Sequence, residues 1–222
     1  NQFGGISKDT WIISDNLEEL EEPQERQEDI IEIKKNNPIS ISTALTSRNA
    51  ENLFWVGRLS ERTLVLTSFL KIIFNRLNEN VSSHGKKQPE FLVVLLKAVT
   101  HLTQTYPGFV GEDGEEDETV FEKPLAELIP LINDSKKEGS LTYNVQSLLY
   151  TINHISEKWN NDTKGIIYLI EESLVSLKAS NEQNISQTTH GLDKLYIRLM
   201  AFYGNTYETL PRENGFYLFE AG

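Results

Sequence analysis

From Ala50 onward the apolar and small positions recur at intervals of three and four: Ala50, Leu53, Phe54, Gly57 and Leu64, then on through "LVLTSFLKIIFNRL" to about Asn80. That is the period of an α-helix that buries one face. Thr46 or Ser47 stands where a hydroxyl accepts a hydrogen bond from a first-turn amide. Only Gly57 breaks the run, so the pattern predicts a rod roughly 50 Å long at 1.5 Å per residue. A second helix is expected over "PEFLVVLLKAVTHLTQTY", with Pro89 in its first turn and Pro107-Gly108 stopping it. Further segments with the same period follow over Leu125 to Ile132, with Pro130 near the end, and over Ser140 to Trp159. Asp162 or Thr163 is placed to cap the next, Ser186 to Glu208 forms another, and Pro211 is placed to open a last one at "PRENGFYLFEAG".

Before this region the pattern changes. Residues 1–14, "NQFGGISKDTWIIS", hold the only strongly β-prone run, Trp11-Ile12-Ile13, beside a glycine pair, and predict a short extended tail. Residues 15–42 are charged, contain Pro23 and pass through Asn36-Asn37-Pro38, as an exposed linker does. The reading is therefore an all-α protein: an antiparallel bundle of six or seven helices over residues 43–222, preceded by an acidic linker and an extended N-terminal tail.

Charge sharpens this division. Asp15 to Asn37 and Gly111 to Glu122 together carry more negative charge than the net −12 of the whole chain, so the remainder is close to neutral. The acidity marks two solvated segments, and no basic footprint for nucleic acid stands out. No apolar run reaches the roughly 18 residues of a membrane span. With no cysteine, thiolate metal sites, disulfides and a cysteine nucleophile are excluded, which suits a cytoplasmic protein. The residues three before His84, His101, His154 and His190 are Val81, Ala98, Thr151 and Gln187, so the Glu-x-x-His of di-iron bundles is missing. No metal or cofactor site is expected. "GGISKDT" offers flexible amides beside Ser7, Lys8 and Asp9 that could approach a phosphate, or it is a plain turn.

"SRNAENLFWVGRLSER", Ser47 to Arg62, carries more chemistry than packing requires. Glu51, Trp55, Arg58 and Arg62 fall at i, i+4, i+7 and i+11, one stripe of one helix. Arginines four apart repel when exposed, by a few tenths of a kcal/mol. Two readings offset that: intrachain ion pairs, Arg58 with Glu61 and Arg62 with Glu213 or Glu220, or an anion site in which Arg58 and Arg62 grip a carboxylate or phosphate beside Trp55.

The same residues carry a resemblance. "SRNAENLFWVGRLSERT" is similar to the first signature of the alpha-E domain, a bacterial helical family with an "AENLxWLGRxxER" pattern, through Ala50, Glu51, Asn52, Leu53, Trp55, Gly57, Arg58, Glu61 and Arg62. "FYGNTYETLPRENGFYLFEAG" resembles the second signature, with Phe202, Gly204, Glu208, Arg212, Phe219 and Gly222 matching and the expected arginine falling just beyond the last residue. This implies a bundle cut short at its C-terminus. Aligning Gly57 with Gly222 sets Leu53 on Leu218 and Phe54 on Phe219, as if the first and last helices were a pair crossing at their glycines. The arginines usual along the helix near Asn144 are missing, with Leu148 and Thr151 nearby instead.

The tail "NQFGGISKDTWIIS" resembles the closing segment of circularly permuted ATP-grasp proteins, which implies a preceding ATP-grasp domain as partner and ATP with Mg²⁺ as cofactors of a longer parent. The expected function is that of a helical domain taking part in ATP-dependent amide or peptide-like bond formation without being catalytic alone. The candidate ligand face comprises Glu51, Asn52, Trp55, Arg58, Glu61, Arg62 and Arg212. Two alternatives stand beside it: a docking module for a partner peptide or protein with the acidic loop, Gly111 to Glu122, as recognition element, and a catalytic site at Glu51, Arg58 and Arg62 in which Glu61 or Glu208 serves as base.

Overall fold

A computed structural model describes residues 45–80, 90–111 and 118–222. The tail with Ser7, Lys8 and Asp9, the linker, Pro89 and the centre of the acidic loop lie outside them. Among the described residues are eight α-helices and no strand: α1 (Ser47–Asn80), α2 (Glu90–Thr103), α3 (Glu118–Glu122), α4 (Leu125–Asn133), α5 (Leu141–Asn153), α6 (Asn161–Lys178), α7 (Ile185–Thr209) and α8 (Asn214–Ala221). One 3-10 turn, Ser156–Lys158, follows α5.

The 34-residue α1 is the axis, packing against α2, α5, α7 and α8. Its inward side chains, among them Leu53, Val56, Leu70, Ile73 and Phe74, are buried. Each contributes on the order of 1.5–3 kcal/mol on burial. Thr63 and Thr67 share that face, and each hydroxyl donates to the carbonyl four residues back, at 2.6 and 2.7 Å, so neither is left unsatisfied. Trp159 closes one end of the core: its indole N–H donates to the Ile152 carbonyl at 3.0 Å, and its ring meets Phe202 edge-on.

Chain direction follows from the side-chain pairs. Lys71 meets Asp193 at 3.0 Å while Asn78 meets Ser186, so α1 and α7 run antiparallel. Thr163–Asn205 and Glu172–Arg198 make α6 and α7 antiparallel too. The first and last helices differ: Gly215 faces Leu45 and Leu53, whereas Gly222 faces Phe54 and Arg58, so α1 and α8 advance together as a parallel pair.

Several boundaries depart from the sequence pattern. The cap of α6 is Asn160, whose Oδ1 accepts from the Thr163 amide and hydroxyl at 2.8 Å each, two residues before the expected Asp162. Pro211 does not open α8, because the extended backbone of Glu213 separates the proline from the helix start. The segment from Ser140 to Trp159 is not one helix, since α5 ends at Asn153 and the short turn intervenes. Pro130, expected to spoil the end of α4, lies inside a helix that runs on to Asn133.

Candidate functional site

Thr46 starts α1 by accepting from the Asn49 amide at 3.2 Å. The Asn49 side chain then donates to Glu157 at 3.3 Å, tying the first turn to the segment after α5. From there α1 has two faces of different character.

The packed face is notched. A Cβ on Gly57 would land on the carbonyl oxygen of Phe219 and 2.9 Å from its carbonyl carbon. A Cβ on Gly222 would land on the carbonyl oxygen of Phe54, 2.8 Å from that carbon and 2.9 Å from the Arg58 amide nitrogen. Backbone therefore lies on backbone, and the relation is reciprocal: Gly57 sits on Phe219 as Gly222 sits on Phe54. Gly215 continues the seam against Leu53, whose Cδ1 is 2.9 Å from the site of a Cβ. No side chain fits at either central notch without parting the helices.

The other face is exposed. Glu51, Trp55, Arg58, Glu61 and Arg62 all face solvent, and Trp55 keeps 43% of its surface accessible while its ring meets Phe54 edge-on at 5.8 Å. Arg48, at i−3 from Glu51, extends the same stripe one turn back and is also exposed. The sequence reading missed it as a stripe member, although its spacing is that of the others. The ion pairs that the spacing allowed, Arg58 with Glu61 and Arg62 with Glu213 or Glu220, are not formed. Among the described residues Arg48, Arg58 and Arg62 have neither a hydrogen bond nor an ion pair.

The other described arginines are engaged. Arg76 bonds Glu79 at 2.9 Å. Arg198 bonds Glu172 at 2.7 Å and donates to Ser173 and the Leu169 carbonyl at 2.6 Å each. Arg212, expected with the stripe, lies against two rings instead, 4.6 Å from the Tyr207 centroid and 4.1 Å from that of Phe216. The neighbouring Tyr207 side chain raises its pKa from the ordinary guanidinium value. Asn52 is half-buried, and its side-chain amide nitrogen has no partner among the described residues.

The chemistry open to the stripe is recognition of negative charge by guanidinium groups, which Arg48, Arg58 and Arg62 offer along roughly 21 Å of helix with Glu51, Trp55 and Glu61 among them. Among the described residues no group of three His, Asp or Glu side chains converges as a metal site. Described His101 and His154 bond Tyr106 and the Tyr150 carbonyl. A shallow cleft of about 370 Å³, lined by Ser135, Tyr143, Gln146, Ser147, Tyr150 and Thr151, contains none of the residues expected to do chemistry. Glu61 and Glu208 are both exposed. No described helix is long and apolar enough to cross a membrane.

An all-helical bundle whose central helix presents Glu-Arg at positions 61–62 is thus the class that fold and site define. The family model of Alpha-E, described as a predicted alpha-helical domain with a conserved ER motif, matches residues 45–222, and the chain belongs to that family. Within the matched span, Glu61-Arg62 is the one Glu-Arg pair in the sequence. No curated protein and no solved structure matches the chain.

Proposed function

We propose that this Alpha-E domain is the non-catalytic helical part of a longer ATP-grasp-linked protein of the cytoplasm, and that α1 supplies it with a face that holds an anionic group during ATP-dependent amide or peptide-like bond formation. The observation that carries the reading is the set of three arginines, Arg48, Arg58 and Arg62, on the exposed stripe that holds Trp55, without a side-chain partner among the described residues. Support for the larger assembly comes from the likeness of "GGISKDTW" to the end of a permuted ATP-grasp domain. ATP and Mg²⁺ would be held by that preceding domain.

The reading has a direct test in the reading frame upstream of Asn1. An ATP-grasp domain there supports it, and a module of another class contradicts it. Calorimetry on residues 1–222 with Mg-ATP is expected to show no micromolar binding. A micromolar site would shift nucleotide recognition, and with it the catalytic role, into this chain.

A further inference from the structure

The exposed stripe does not end at Arg62. Val65, Phe69, Ile72 and Arg76 continue it with the same alternation of three and four residues, so the solvent face of α1 follows a heptad a/d seam from Arg48 to Arg76. Over 28 residues that is roughly 42 Å of helix. The seam has two halves. The N-terminal half carries the three unpartnered arginines, with Glu51 and Trp55 among them. The C-terminal half is apolar: Val65 is 46% and Ile72 44% exposed, with Phe69 half-buried between them, and Arg76 at its end is already bonded to Glu79.

On a single straight helix a heptad spacing drifts by about 20° per repeat, and a second helix wrapped along it keeps the seam covered. Apolar side chains at seam positions, left two-fifths open to solvent, are what such a helix buries. A small anion would use only the arginines and leave Val65 and Ile72 uncovered.

We propose that the solvent face of α1 is the docking seam for one amphipathic helix of a partner domain, with carboxylates facing Arg48, Arg58 and Arg62 and apolar side chains facing Val65, Phe69 and Ile72. This rests on the reading of the stripe as an anion-holding face and names its occupant. Glu51 fixes the register, because an acidic side chain opposite it would be repelled and a lysine favoured. Charge complementarity selects the partner and aligns it, and the apolar half slows its release.

The test is an NMR titration of the full chain, read at the Trp55 indole and the Val65 and Ile72 methyls. One probe is a synthetic helix of about four heptads with its seam carboxylates in one block, its leucines in the other and a lysine opposite Glu51. The second probe has the same composition with carboxylates and leucines interleaved, and the third is citrate. The block peptide is expected to shift all three reporters and to bind at least about tenfold more tightly than the interleaved one. Arg58→Glu with Arg62→Glu should lose that preference, and a peptide with lysines for its carboxylates should restore it. Equal binding of the two peptides overturns the proposal. If citrate shifts Trp55 and neither peptide does, the anion reading stands and the helix partner falls. If no probe shifts Trp55, both fall.

Discussion

Gly57 and Arg58 are consecutive in the chain and stand in opposite surroundings. Gly57 lies backbone to backbone against Phe219 and has no room for a single methyl group. The Arg58 side chain projects into solvent with no partner among the described residues, although its own amide lies under Gly222. One face of α1 is therefore over-determined by packing and the other is left open. A face built for stability engages its groups, as α6 and α7 do with Arg198: three partners for one guanidinium. Among the described residues the arginines from Arg48 to Arg62 make no contact of that kind.

The largest effect should come from closing the notch. Gly57→Ala places a carbon on a main-chain carbonyl that cannot rotate away, and the loss from parting the helices outweighs the gain of about 1 kcal/mol in helix propensity. A net destabilisation of about 2 kcal/mol is expected in urea unfolding. A variant as stable as the parent would mean that α1 and α8 do not touch there.

Next come two changes of about equal size and opposite sign. Arg198→Ala should cost about 1 kcal/mol, because a carbonyl and a hydroxyl lose their donor while the ion pair adds little through an exposed Glu172. Gly204→Ala should raise stability by about 1 kcal/mol, since α7 has open space where its Cβ would stand. A loss at Gly204 would show that the open space is in fact occupied. The smallest effect belongs to the stripe: Arg62→Ala should change stability by no more than about 0.5 kcal/mol, with relief of repulsion from Arg58 favouring the variant.

How far the sequence reveals this depends on the kind of feature. A 34-residue helix with a single glycine announces itself through its period, and the Alpha-E membership through "AENLFWVGRLSER". Small residues recur at matching places in the two segments, which suggests a close approach there, but the partners themselves, Phe219 for Gly57 and Phe54 for Gly222, are not legible. The parallel direction of that pair is not legible, since it depends on how the six intervening helices turn. The five-residue α3 is too short to show a period. Asn160 as the cap of α6 lost to Asp162 because both residue types serve, and the choice rests on where the chain emerges from the turn before it. The free state of Arg58 and Arg62 was the least legible of all. Spacing permits an Arg58–Glu61 pair, and only side-chain placement shows that the pair is not made.

An arginine face open to a ligand is one that folding can do without. The measurement that addresses this most directly is urea unfolding of the full chain carrying Arg58→Ala and Arg62→Ala together, followed by helical circular dichroism. An unfolding midpoint equal to the parent's or slightly above it is the predicted result. A fall equivalent to more than about 1 kcal/mol would mean that the arginines hold the bundle together, and the open face would be structural after all.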